Sequence, residues 1–315
     1  MAKGDKIKRG SDTRGKQRAP RRYALAGADV EAPAVPSGLY LVATPIGNLR
    51  DVTVRALEVL AAADVIACED TRVTRKLTGH YAIATPLTPY HEHNAAEARP
   101  KILARLAAGQ AVALVSDAGT PLISDPGYRL VREACAAGHT VNAVPGASAV
   151  LSALSVAALP TDRFFFEGFL PPKQAGRQKR LSALARIPAT LVFFETGPRL
   201  ADALADLAER FGPREAAICR ELTKLHEEVT RGDLAALARA YANGGETRGE
   251  FVVVVAPPAE AEDAGDFDDL LRKALARVSV KDAVGEVAAA TGRPRREVYQ
   301  RALELTKDGD DGAAR

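Results

Sequence analysis

Cysteine is scarce in this chain of 315 residues: Cys68, Cys135 and Cys219 are odd in number, widely spaced, and form no metal-ligand pair. That excludes a disulfide framework and implies reduced thiols in a cytoplasmic protein. His91 and His93 in "PYHEHN" have chelating spacing but no other ligand motif beside them, so no metal is expected. The charged N-terminus lacks the apolar stretch of a secretory signal. Residues 140–161 carry no charge, but Pro145, Gly146 and three serines interrupt them, so they read as a loop entering a buried helix and not as a membrane span. No G-x-G-x-x-G follows the first strand-like run, which argues against a nucleotide-phosphate cradle. No repeat of fixed period is present, and a net charge of +3 says little by itself.

The distribution of charge says more. Nine Lys and Arg residues from Lys3 to Arg22 face only Asp5 and Asp12, and residues 1–36 read as a basic disordered arm. An apolar fraction of 47% supplies material for two compact domains. From Gly38, "LYLVA", "DVIAC", "AVALV" and "TVNAV" read as strands separated by helices, the pattern of a parallel sheet covered on both faces. A second series begins near Arg163, with strands "FFFEGF", "TLVFFE", "EAAICREL" and "EFVVVVA". The fold class is therefore α/β, with two α/β domains (residues 37–160 and 161–257). An acidic, Pro/Ala-rich linker over 258–266, a helical extension over 267–307 and a tail over 308–315 complete the chain.

In such sheets ligands bind where loops splay from the carboxyl ends of strands. Three unusual loops occupy that edge: "TPIGN" (44–48), "SDAGTPLISDPG" (116–127) and "PGASA" (145–149). Each alone is explicable as a turn of ordinary turn residues. Together they point to a ligand without a pyrophosphate, with Asp117 suited to a ribose hydroxyl or an ammonium group, and Gly119 and Gly146 permitting close backbone approach.

Glu69, Asp70 and Arg72 in "CEDTR" end the second strand on that edge, and Glu221, Lys224 and His226 follow "EAAIC". Either group could hold a base or steady a substrate; a helix cap with its salt bridge at Asp70–Arg72 and a solvated turn at Lys224 are the alternatives. "PPKQAGRQKR" presents Lys173, Arg177, Lys179 and Arg180 on a proline-stiffened loop entering a helix, an arrangement suited to phosphate contacts or simply a solvated helix face. The C-terminal "SVKDAVGEVAAATGRPRREVYQRALEL" has the outline of a helix-turn-helix, with Arg293, Arg295, Arg296, Tyr299 and Arg301 on or near its second helix.

"TPIGNLRD", "CEDTR", "SDAGTPLISDPG", "VPGASA", "FFETGPR" and "RELTKLHEEVTRG", in this order, resemble the ribosomal RNA small subunit methyltransferase I family of the tetrapyrrole methylase superfamily. The resemblance runs from about Gly38 to Pro257 and more weakly beyond. It implies a fold of tetrapyrrole methylase type, usually a homodimer, that uses S-adenosyl-L-methionine to methylate the 2′-oxygen of a cytidine in the decoding region of 16S ribosomal RNA. The RNA would be met within the small ribosomal subunit, in the cytoplasm and without a membrane. Carried onto this chain, the cofactor site would comprise Pro45, Asp117, Ala118, Gly119, Thr120, Ala147, Ser148, Phe194, Gly249 and Glu250. Asp70, Glu69 and Lys224 are then the candidate catalytic residues, and Arg72, Lys173, Arg177, Lys179 and Arg180 the candidate RNA contacts. A tetrapyrrole or precorrin methyltransferase, or a ribosome-assembly factor that binds RNA without catalysis, would share parts of this pattern.

Overall fold

The computed structural model describes residues 21–125, 127–258 and 263–311. Of the basic arm expected over residues 1–36, the first twenty lie outside the described residues, and residues 21–36 hold a defined structure.

Strands β1 (Arg22–Leu25) and β2 (Ala28–Glu31) form an antiparallel hairpin. Its two turn residues, Ala26 and Gly27, both have positive φ, the geometry that matches strand twist in a two-residue hairpin. Tyr23 is buried, and Leu25, Val30 and Val35 pack on the first core. Arg21 pairs with Asp64 at 2.9 Å. Buried apolar contacts and ion pairing thus fix the end of a segment whose charge alone suggested disorder.

The first sheet contains β3 (Gly38–Val42), β4 (Val65–Cys68), β5 (Leu87–Pro89), β6 (Ala111–Val115) and β7 (Val141–Val144) in the order β5-β4-β6-β3-β7. Every pairing is parallel. All residues of β4 and β6 are buried, as continuous apolar runs in a two-sided parallel sheet require. The crossovers carry α1 (Val54–Ala62), α2 (Thr71–His80), α3 (Ala95–Ala107) and α4 (Tyr128–Ala136). Pro100 lies inside α3.

Helix α5 (Ala149–Ala157) follows β7, capped by the Ser148 hydroxyl. Its Val150, Ala153, Leu154 and Ala157 pack with Val192, Ala217, Cys219, Val252 and Val254. This small, uncharged helix therefore leaves the first sheet and covers one face of the second, which explains the uncharged stretch over 140–161. The second sheet contains β8 (Phe164–Phe169), β9 (Thr190–Thr196), β10 (Glu215–Arg220), β11 (Glu228–Asp233) and β12 (Glu250–Val255), ordered β11-β10-β12-β9-β8. Only β8 and β9 run parallel; the other pairs are antiparallel. Helices α6 (Gln174–Leu184), α7 (Gly197–Phe211) and α8 (Leu234–Ala242) supply the opposite core, with Leu181, Leu204 and Leu237 facing Phe193 and Phe251. Both sheets belong to one compact unit ending at Pro257.

The second unit, Pro258–Arg315, contains α9 (Asp263–Leu275), α10 (Val280–Thr291) and α11 (Arg295–Asp311). Phe267, Leu271, Val287 and Val298 lie in its own core. Helix α9 begins inside the expected linker, and α11 runs into the expected tail. Gly292, at φ 72°, ends α10 in the left-handed conformation that favours glycine. Arg301 forms a two-bonded pair with Asp268 at 2.6 and 2.9 Å, so this arginine ties α11 to α9.

Candidate functional site

The three loops of the first sheet are fastened to one another. Thr44 and Gly119 exchange backbone hydrogen bonds of 2.9 and 3.0 Å. The Thr44 hydroxyl donates to the Ser116 carbonyl at 3.2 Å, and the Thr120 hydroxyl to the Ala147 carbonyl at 3.3 Å. Gly119 sits at φ 78°, and a Cβ there would stand 3.3 Å from the Ile46 side chain, so the close approach of these loops favours glycine.

The second sheet meets this edge with the ends of β9 and β10 and the start of β12. Between the sheets lies a cavity of about 310 Å³, within the range of small-molecule sites. Of the residues expected to hold the cofactor, Asp117, Ala118, Gly119, Thr120, Ser148, Phe194 and Glu250 line it. Pro45 is half-buried beside Ile46 in the wall, Ala147 accepts the Thr120 hydroxyl, and Gly249 precedes Glu250. At Gly249, with φ 112°, a Cβ would stand only 2.6 Å from Glu221 Cγ.

The residues nominated for catalysis are placed differently. Asp70 caps α2, accepting the Arg72 amide at 2.7 Å and its guanidinium at 2.6–3.1 Å. The Arg72 side-chain and backbone hydrogen bonds hold its carboxyl down to about 2, which makes Asp70 a weak proton acceptor. The cap-and-salt-bridge alternative is the one realised, and neither Asp70 nor Arg72 lines the cavity. Glu69 also stands outside the lining; burial and then the neighbouring Asp117 charge push its carboxyl up. Lys224 does line the cavity, with Nζ 2.8 Å from both Glu221 Oε1 and Glu250 Oε2. Burial pulls its ammonium down, but hydrogen bonds to Glu221 and Glu250 outweigh burial and hold it above the ordinary lysine value. Lys224 is thus a fixed positive charge and not a base. A Cβ on Gly47 would meet Lys224 Cγ at 2.4 Å, so the lysine stem lies directly against the first loop.

The basic loop divides. Arg177 is buried with Asp206, Nε to Oδ2 at 2.6 Å, with side-chain exposures of 4% and 3%. It cannot contact RNA from that position and is corrected to a structural residue joining α6 to α7. Arg180 makes two 2.6 Å bonds to Glu167. Lys173 and Lys179 are exposed. Asp125, Glu195 and Thr196, which sequence reasoning missed, all stand in the cavity wall. Asp125 is the second aspartate of the long loop and could have been found there; Glu195 and Thr196 sit in a strand that reads only as core.

Among the described residues no group of three or more His, Cys, Asp and Glu is arranged to hold a metal, and no helix is long and apolar enough to cross a membrane. Asp117, Asp125, Glu195, Glu221 and Glu250 set five carboxylates in the lining against Lys224, itself paired with two of them, while Ile46, Phe194 and Val252 give apolar walls. This set disfavours a polyphosphate and fits a ligand with a planar base, hydroxyls and positive charge. S-adenosyl-L-methionine has that chemistry, so the residues present fit the cofactor.

Comparison with known proteins agrees with this architecture. Residues 38–238 match the family described as Tetrapyrrole (Corrin/Porphyrin) Methylases, and residues 261–306 match the RsmI C-terminal HTH domain. The Ribosomal RNA small subunit methyltransferase I of Mesorhizobium japonicum is 53% identical over 286 residues, covering 90% of this chain and 97% of that protein. The protein of the same name from Pseudomonas aeruginosa is 46% identical, covering 84% and 96%. Among solved structures, cobalt precorrin-4 methyltransferase aligns with a TM-score of 0.53 at 18% identity, covering 69% of this chain and 94% of that one. Uroporphyrin-III C-methyltransferase from Thermus thermophilus, solved with S-adenosylhomocysteine, aligns at 0.51 and 21%, covering 70% and 97%. The structural likenesses establish the fold, and the sequence matches establish the family: the chain belongs to the ribosomal RNA small subunit methyltransferase I family of the tetrapyrrole methylases.

Proposed function

We propose that this chain transfers a methyl group from S-adenosyl-L-methionine to the 2′-oxygen of a cytidine in the decoding region of 16S ribosomal RNA. The observation that carries this reading is the carboxylate-rich, phosphate-unfriendly cavity between the two sheets of a chain of this family. When bound, the cofactor supplies an electrophilic methyl on a positively charged sulfur, a good neutral leaving group. Most of the protein's task is then alignment of the attacking oxygen with that methyl.

Asp117 and the backbone of Ala118, Gly119 and Thr120 would receive the polar parts of the cofactor, with Pro45, Ala147 and Ser148 beside them. Phe194 would supply an apolar face, and Gly249 and Glu250 would bound the site from the second sheet. The pairing of Lys224 with Glu221 and Glu250 joins the two loops of the second sheet, and the lysine stem lies against Gly47. Exposed Lys173 and Lys179 suit phosphate contacts, as do Arg295 and Arg296 at the exposed start of α11. The working form is a cytoplasmic homodimer acting on the small subunit.

Incubation of the protein with labelled S-adenosyl-L-methionine and small subunits, naked 16S RNA or precorrin tests the reading. Label on one cytidine ribose is the expected result. Label on precorrin would instead favour a tetrapyrrole substrate, and cofactor binding without transfer to any of the three would oppose this activity. Sedimentation checks the dimer.

A further inference from the structure

We propose that Asp125 is the group that takes the proton from the attacking ribose hydroxyl, an assignment that rests on the methyltransferase reading above. Each of the other cavity carboxylates already accepts from an amide or a cation. Asp117 Oδ1 accepts the Asp70 amide at 2.9 Å. Glu221 accepts Lys224 Nζ at 2.8 Å and the Glu250 amide at 2.9 Å, and Glu250 accepts Lys224. Glu195 accepts the Thr196 amide at 2.9 Å and lies 3.2 Å from Arg199. Asp125 alone among them accepts from neither an amide nor a cation among the described residues, and the neighbouring Ser116 hydroxyl donates to the Ala118 and Gly119 carbonyls at 3.1 and 3.2 Å.

The backbone around Asp125 is held in an uncommon conformation. Leu122 and Ser124 have φ of 73° and 64°, a region that costs a non-glycine residue free energy and that clusters at functional sites. The segment is locked from both sides. A Cβ on Gly168, in the bulge of β8, would stand 3.0 Å from Ser124 Oγ, and one on Gly127 would stand 3.0 Å from Leu114 of β6. Packing from both sheets thus fixes a strained loop whose product is one free carboxylate in the cavity wall.

The electrostatics agree. Glu69 after β4 and Asp117 after β6 are the acids beside it, and Glu195, Glu221, Lys224 and Glu250 line the same cavity from β9, β10 and β12. Burial first, then the Glu69 charge, push the Asp125 carboxyl up to about 6, against the pull of the Ser116 hydroxyl. A base is most effective when its pKa lies near the working pH. In the proposed step the 2′-oxygen bonds to the methyl carbon, the carbon–sulfur bond breaks with its electron pair left on sulfur, and the hydroxyl proton passes to the Asp125 carboxylate.

The test combines a titration with kinetics. In protein carrying carboxyl-labelled aspartate, without cofactor, one resonance should titrate near pH 6, vanish in Asp125→Asn, and shift to lower pH in Glu69→Gln. With small subunits as substrate, Asp125→Asn should lower kcat about 100-fold, the scale of a lost general base, a loss that persists at saturating cofactor. The parent's loss of rate below pH 6 should disappear in that variant, and its midpoint should move down in Glu69→Gln. A parent that binds cofactor but labels no subunit RNA would overturn the methyltransferase reading and this assignment with it. A parent that labels normally, with Asp125→Asn equally fast or retaining the same acid limb, would overturn the role of Asp125 alone. Should Asp125→Asn fail to fold, an unmoved midpoint in Glu69→Gln would still overturn it.

Discussion

Arg177→Met separates a structural arginine from RNA-binding lysines on the same ten-residue stretch. Methionine keeps most of the apolar stem but removes the guanidinium that meets Asp206 at 2.6 Å. Losing one partner of a buried pair costs about 3–5 kcal/mol, because the other charge stays buried and uncompensated. Asp206 would retain Gln178 Nε2 at 3.0 Å and Gln174 Nε2 at 3.3 Å, which places the cost at the lower end, about 3 kcal/mol. For a unit of this size that is a fall in Tm of roughly 6–12 °C. Adding Asp206→Leu removes the stranded charge and should restore most of the loss. Urea unfolding of parent, both single variants and the double variant gives the coupling directly.

The pH dependence has a definite sign. Burial pushes the Asp206 carboxyl up, but hydrogen bonds from Gln178, Arg177 and Gln174 outweigh it and hold it below the usual range. Its stabilisation is therefore full above the unfolded value of about 3.9 and is lost as pH falls through the lower folded value. Parent and Arg177→Met should converge in stability below about pH 4. A loss under about 1 kcal/mol, the scale of an exposed pair, would refute the burial argument. So would a flattened salt dependence of RNA binding in folded Arg177→Met.

Neutralising Lys173 and Lys179 together should flatten the slope of log affinity against log salt by up to about 1.4, at about 0.7 per single-strand contact, with Tm and cofactor affinity unchanged. Asp117→Asn keeps an acceptor for the Asp70 amide but removes the charge, so calorimetry should show weaker S-adenosyl-L-methionine binding at nearly constant Tm; Asp117→Ala should lose both. Asp125→Asn should raise Tm at pH 8 but not at pH 4. A carboxyl whose folded pKa is raised to about 6 destabilises increasingly as pH climbs from its unfolded value through the folded one. Gly47→Ala should reduce cofactor affinity, because its Cβ displaces the Lys224 stem.

The first sheet was legible because β3, β4 and β6 are apolar runs between amphipathic helices. What escaped were strands without such runs. β5 is three residues ending in Pro89 at a sheet edge, where proline's missing donor does no harm. β11, "EVTRGD", is the polar, half-exposed edge of the second sheet and has no buried face to declare it. The β1–β2 hairpin was hidden by its charge, although Tyr23, Leu25 and Val30 were present to be read. Arg177 looked like Lys173 and Lys179 because its partner lies 29 residues away. The available clue was Asp206, a carboxylate among Leu200, Ala203, Leu204 and Leu207 on an otherwise apolar helix face, where only a buried cation would make it tolerable.

The site itself was half legible for a topological reason. The rule that ligands gather at carboxyl ends of strands works for the first sheet because all its strands are parallel, and it located all three of its loops. The second sheet is mixed, so its contribution to the same cavity comes from the ends of β9 and β10 but from the beginning of β12, which runs antiparallel to both. Glu250 opens its strand, and no rule about strand ends would select it. Its distance from Glu221 is closed by Lys224, which bonds to both carboxylates, and by Gly249, where any side chain would strike Glu221. Pairing across an antiparallel register, unlike apolar periodicity, depends on which strand comes to lie beside which. That is why resemblance, and not composition or spacing, pointed to Gly249 and Glu250 before the fold placed them beside the cavity.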